Sequence, residues 1–174
     1  SLPGLYLIEN EVFSDSRGSL SEVYKDKQVY ETLGFKNALE LEVGSFKGVL
    51  RGLHYQLDPY AQAKIVRVVS GKILDIVVDI RKSSKTFGKW CSHVLGNEFR
   101  QQLYIPRGFA HGYYTIEDDT KLIYKLDHIY DPASYRGIRY DDESLDIDWS
   151  LMGDPIMSEQ DLALPKWSKA EVFE

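Results

Sequence analysis

A single cysteine, Cys91, stands in a chain of 174 residues. No disulfide can form within the chain, so its fold rests on packing alone. Nowhere do apolar residues run for the roughly 18 positions that a membrane span requires. The opening SLPGLYLIENEVF has neither the basic nor the apolar stretch of a secretory leader. Together these absences set the expectation of a cytoplasmic protein with no membrane association. Internal repeats and low-complexity tracts are missing too, which excludes solenoids, propellers and strings of modules. One domain over residues 1–174 is the expectation. Positive charge is in deficit, with 27 acidic against 21 basic side chains and a net charge of −6. That balance opposes non-specific binding to nucleic acid, although a local group of arginines can still hold a phosphate. There is no GxGxxG to cradle a dinucleotide. The histidines His54, His93, His111 and His128 are never spaced as HxH or HxxxH and have no cysteine cluster beside them, so no metal and no cofactor are expected.

The chain is rich in tyrosine, twelve in all, and tyrosine suits both strands and pocket walls. Glycines at 44, 48, 52, 71, 88, 96, 108 and 112 divide its middle into short segments dominated by Val, Ile, Leu, Tyr and Phe. Short strands separated by turns point to a sandwich or barrel. The clearest pair is Lys64–Val69 and Lys72–Ile80, joined across Ser70 and Gly71. Alternation in the second of these puts Leu74, Ile76, Val78 and Ile80 on a core face and Ile73, Asp75, Val77 and Asp79 on a face turned to water or a polar cavity. Further strands are expected at Leu5–Glu9, Gly18–Tyr24, Leu39–Phe46, Val49–Tyr55, Lys89–Leu95, Gln102–Ile105, Ala110–Thr115 and Lys121–Tyr130. Helix is limited to Asp26–Leu33, stopped by Gly34, and a turn at Ser158–Leu162 with Ser158 as its cap. From Asp141 onward the chain reads as irregular and wrapped over the body. The fold class is therefore all-β, a jelly-roll barrel with short peripheral helices.

Two histidines sit in glycine-rich company, His54 in RGLHYQ and His111 in IPRGFAHGYY. Small residues beside a histidine fit a place where backbone approaches a ligand. Alongside these segments stand DSRGSLSEVY, QAKIVRVVSGKILDIVVDIRKSSKTFGKW, IYKLDHIYDP, GIRYDDESLDIDW and MSEQD. In this order, from about Leu5 to Pro165, they resemble the dTDP-4-dehydrorhamnose 3,5-epimerase family of the cupin superfamily. The resemblance implies a cupin jelly roll without a metal, assembled as a homodimer with exchanged N-terminal strands. It also implies a nucleotide-diphosphate 4-keto sugar as substrate. In that chemistry the 4-keto group acidifies the hydrogens on C3 and C5. An enzyme can then take a proton from one face of the ring and return one to the other.

By resemblance His54 is the base, a role suited to an imidazole whose ordinary pKa lies near 6.5. Asp161 is its carboxylate partner. Tyr124 is the acid on the opposite face, and Lys64 is the cation that faces the developing enolate. Arg51 and His111 line the same cavity and contact the substrate or its diphosphate, for which the arginine fork is suited. Tyr130 stacks on the nucleotide base, while Arg17 and Glu22 reach the ligand from the partner subunit. Composition alone would assign none of these roles, and a lone Asp161 would read as an exposed carboxylate in a helical turn.

The sequence departs from the family pattern at Leu20, where an aromatic residue is usual. It departs again at Leu39, Leu41 and Val43, where Gln, Asn and Ser are usual. The catalytic set is intact, but the nucleotide base and the sugar stay open. Epimerisation at C3, at C5 or at both is the leading reading. A 3,4-ketoisomerase, an epimerase for another nucleotide sugar, and a sugar-nucleotide-binding cupin without catalysis are the alternatives.

Overall fold

A computed structural model describes residues 2–174. The elements in chain order are β1 (Tyr6–Glu9), β2 (Val12–Asp15), β3 (Gly18–Ser21), α1 (Asp26–Leu33), β4 (Leu39–Ser45), β5 (Leu50–Gln56), β6 (Lys64–Ser70), β7 (Lys72–Asp79), β8 (Trp90–Gly96), β9 (Gln101–Ile105), β10 (Phe109–Thr115), β11 (Thr120–Leu126), β12 (Tyr135–Gly137) and α2 (Glu159–Leu162), with a final 3₁₀ turn at Trp167–Lys169. The strands form two five-stranded sheets, in the orders β1-β9-β6-β11-β4 and β12-β5-β10-β7-β8, and β2 and β3 make a separate hairpin. All strand pairs in them are antiparallel. The expected cupin-type jelly roll with short peripheral helices is the observed architecture. No described helix is long and apolar enough to cross a membrane.

Side-chain alternation along β7 explains the two apolar clusters. Ile73 and Val77 point between the sheets, where they join Val66, Val68, Leu95, Leu103, Phe109, Tyr113 and Leu122. Leu74, Ile76, Val78 and Ile80 point to the other side, and there they are covered by Ile138, Leu145, Trp149, Trp167 and Phe173 from the last third of the chain. The face expected to turn to water or a polar cavity is thus buried from water. Asp75 and Asp79 are both fully enclosed. They have different solutions to the same problem, since a buried carboxylate must find hydrogen bonds. Asp79 accepts from Arg81 Nε at 2.9 Å and Nη2 at 2.8 Å, and from the hydroxyls of Ser84 and Thr86 at 2.6 Å each. Asp75 turns to a histidine of the cavity described below.

Other boundaries shift for local reasons. The strand expected at Lys121–Tyr130 ends at Leu126, because Asp127 leaves the ladder to accept from the Ala63 amide at 2.7 Å and from Arg107 Nε at 3.0 Å. The strand expected at Gly18–Tyr24 stops at Ser21, and Val12–Asp15, which carries no expectation, pairs with it. Helix α1 ends as expected at Gly34, whose left-handed φ of 66° lets its amide donate to the Tyr30 carbonyl at 2.8 Å.

Candidate active site

Strand β5 passes unusually close to β10. A Cβ on Gly52 would lie 2.5 Å from the Gly112 Cα, and Gly52 has φ of 120°, so only glycine fits there. This crossing aligns His54 directly with His111, and Arg51 with Tyr113. From the facing sheet, β6 contributes Lys64 and β11 contributes Tyr124. Between the sheets lies a cavity of about 500 Å³, with Arg51, His54, Lys64, His111, Tyr124 and Tyr130 all in its lining. Six of the nine sequence-predicted site residues therefore meet in one hollow. A second hollow, of about 800 Å³, lies under α1 and the β2–β3 hairpin. It is larger but holds no histidine, and Glu22 borders it.

His54 is supported from behind. Its Nε2 lies 2.6 Å from Asp161 Oδ1. Asp161 sits in the first turn of α2, where its amide donates to the Ser158 cap at 3.1 Å, so the seventh predicted residue is held against His54. Burial pushes the Asp161 carboxyl upward. The hydrogen bond and charge of His54, with the Gly52 amide and Ser158, more than offset this and hold it below the usual carboxylate range. The carboxylate occupies Nε2, which leaves Nδ1 as the basic atom of the ring. The His54 ring also lies tilted by 47° against the Tyr135 ring, with centroids 5.4 Å apart.

On the opposite wall, burial raises the Tyr124 phenol well above its ordinary value, aided by the nearby Tyr113 and Asp75. It stays protonated at neutral pH and is a proton donor. Its ring lies 5.9 Å from that of His111 and 6.5 Å from that of Tyr113. Burial lowers the Lys64 ammonium to about 8, with Asp75 pulling the other way. Lys64 is therefore a cation below that pH, and its Nζ lies 3.5 Å from the His54 carbonyl. His111 is buried and its Nε2 lies 2.8 Å from Asp75 Oδ2. Burial lowers the His111 ring despite that carboxylate, so it is a neutral donor or acceptor to the cavity. Asp75, the partner of His111, and Tyr113 and Tyr135 were not among the sequence-predicted residues. The one available signal for Asp75 was its place on the polar face of β7.

Arg17 and Glu22 do not line this cavity. Arg17 lies on the hairpin turn, with its guanidinium 2.6 Å from Asp15, and Glu22 is exposed just beyond β3. Among the described residues no three His, Cys, Asp or Glu side chains gather in a way that could hold a metal ion.

The family model described as dTDP-4-dehydrorhamnose 3,5-epimerase matches residues 1–169. A dTDP-4-dehydrorhamnose 3,5-epimerase of Shigella flexneri is 42% identical over 174 residues, covering 99% of this chain and 96% of the relative. The crystal structure of a dTDP-6-deoxy-D-glucose-3,5-epimerase of Legionella pneumophila in complex with dTDP-4-keto-L-rhamnose superposes with a TM-score of 0.91 at 38% identity, covering 95% of this chain and 89% of that one. A 3′-monoepimerase of Streptomyces bikiniensis, solved with dTDP-quinovose, also gives a TM-score of 0.91, at 30% identity and with 97% and 86% coverage.

Proposed function

Because the chain belongs to the dTDP-4-dehydrorhamnose 3,5-epimerase family, we propose that it is a cofactor-independent isomerase. Its substrate is a dTDP-4-keto-6-deoxyhexose, and it serves deoxysugar biosynthesis. The observation that carries this reading is the placement of the His54–Asp161 pair on one sheet and its flank and of Tyr124 on the facing sheet, with one cavity between them. A ring bound in that cavity meets a base on one face and an acid on the other.

His54 Nδ1 takes the proton from a carbon next to the carbonyl, and the C–H electron pair moves into the carbonyl to form an enolate. Asp161 stabilises the imidazolium, and the Lys64 cation stabilises the enolate oxygen. Tyr124 then delivers a proton to the opposite face and the carbonyl re-forms. Exchange with water returns the lost proton to the phenol and removes the extra one from the imidazole. Arg51 and His111 serve as substrate contacts, and Tyr130, 55% exposed at the mouth, offers its ring to the base.

The proposal extends to a homodimer with exchanged N-terminal segments, in which the hairpin carries Arg17 and Glu22 to a second copy. Its support is the hairpin itself, a separate two-stranded sheet that leaves Phe13 and Leu20 exposed. Residues 1–174 act as one domain, supported by the packing of the last third of the chain on the second sheet. The proposal includes a cytoplasmic setting, with which a single cysteine, Cys91, is compatible.

The test is incubation in deuterated water with a dTDP-4-keto-6-deoxyhexose, with NMR locating the label. Deuterium at C5 or C3 with inversion is the expected result. A carbonyl that moves to C3 would establish a ketoisomerase instead, and an unlabelled, unchanged sugar would leave only binding.

A further inference from the structure

The wall beside the proton donor is apolar. On the shared ladder Leu41 is the direct partner of Tyr124, Leu39 of Leu126, and Val43 of Leu122. Directly paired residues project from the same side of a sheet. Leu39, Leu41, Val43 and Leu126 accordingly line the cavity around the phenol. Polar groups near this wall are engaged with one another or, as with Arg51 and His111 above, committed to other parts of the substrate. The Tyr113 hydroxyl bonds to the Ser45 hydroxyl at 2.9 Å, and Arg51 Nε donates to the same Ser45 oxygen at 3.3 Å. His111 Nε2 is taken by Asp75. Lys64, the direct partner of Leu126 at one end of this patch, is committed to the enolate oxygen. Tyr124 is the other polar side chain on it, and the reaction uses its proton.

The two acidified carbons differ in what they carry. C5 bears the methyl group of a 6-deoxyhexose and C3 bears a hydroxyl. When the hydrogen at either carbon points to His54, tetrahedral geometry tilts the substituent toward the Tyr124 side. A methyl placed there packs on leucine. A hydroxyl placed there loses water and gains no partner. Resting on the epimerase reading above, we propose that the β4 face formed by Leu39, Leu41 and Val43 is a specificity wall. It directs inversion to the methyl-bearing C5 and slows it at the hydroxyl-bearing C3.

The experiment follows the initial rates of deuterium entry at C5 and C3 of a dTDP-4-keto-6-deoxyhexose by NMR in deuterated water. For the unaltered protein we expect C5 to lead by about tenfold or more, the size of effect that an unsatisfied hydroxyl produces. Leu41→Asn supplies a partner for the hydroxyl and is expected to narrow the ratio of the two rates by about tenfold. Leu41 is 43% exposed on an edge strand, so the change is compatible with folding. Leu39→Gln, two residues along the same face, is the second variant and is expected to narrow the ratio in the same direction. Equal rates at both carbons in the unaltered protein overturn the inference and leave the epimerase reading standing. So does a ratio that neither variant changes. Absence of label at both carbons overturns the epimerase reading itself, and this inference with it.

Discussion

Replacing Asp161 by Asn tests the support behind the base, because it keeps the shape of the side chain and removes its charge. The backbone amide of residue 161 still donates to Ser158, so α2 keeps its cap. Two things change at His54. The carboxylate 2.6 Å from Nε2 no longer faces the imidazolium formed when the proton is abstracted. With charge centres about 4 Å apart and an effective dielectric of about 20, that loss is about 4 kcal/mol. Such a difference in the barrier lowers kcat about a thousandfold. The amide NH₂ of Asn can also donate to Nε2, which favours the tautomer carrying its hydrogen on Nδ1, the atom that must accept a proton. Both effects act on the chemical step, so KM should change little. Initial rates of deuterium entry into the sugar, measured with and without substrate saturation, give the two constants separately. A folded Asp161→Asn protein with kcat within threefold of the unaltered enzyme would refute the argument.

Tyr124→Phe removes the far-side acid and leaves the base in place. It should abolish inversion by about 10² to 10⁴ while deuterium still enters on the original face, a pattern that NMR of label and stereochemistry resolves. Lys64→Met should lower kcat by about 10² to 10³. In the unaltered enzyme the same group should make kcat fall as pH rises through about 8, a limb that the Met variant should lack. Hydrogen bonds hold the Asp79 carboxyl down at about 2 against the opposing effect of its burial. A depressed carboxyl stabilises the fold above its unfolded value of about 3.8 and loses that contribution as pH falls through its folded one. Asp79→Asn should therefore cost about 2 kcal/mol at pH 7 in urea unfolding and progressively less between pH 4 and about 2.

The barrel was legible in the sequence where alternation is strong. Strands β6 and β7 follow directly from the run of aliphatic residues broken by Ser70 and Gly71, but they are not paired as neighbours, because the chain passes from one sheet to the other at that turn. Alternation could not tell which face meets the barrel interior, because a cover from residues 138–173 buries the second face as well. That cover comes from a stretch with little periodicity, so its contacts have no local signature. Strand β2 escaped notice for a related reason. All four of its residues are exposed, and an exposed strand shows no hydrophobic contrast.

The site was legible in parts. His54 and Asp161 lie 107 positions apart in the chain, and no local pattern links a strand histidine to a carboxylate in a distant helical turn. The motif resemblance supplied that pair. Asp75 had a physical signal, a carboxylate in an otherwise aliphatic strand, but its partner His111 becomes evident only when β10 lies beside β7. Leu39, Leu41 and Val43 were visible as departures from the pattern. Their meaning came from the register that sets Leu41 against Tyr124.

Catalysis here requires a sugar ring held between a base on one sheet and an acid on the other. A crystal structure with a dTDP-sugar bound tests it most directly. The hexose ring is expected in the 500 Å³ cavity, with His54 Nδ1 and the Tyr124 hydroxyl approaching one ring carbon from opposite faces. A ring seated elsewhere, or both side chains on the same face of it, would contradict the account.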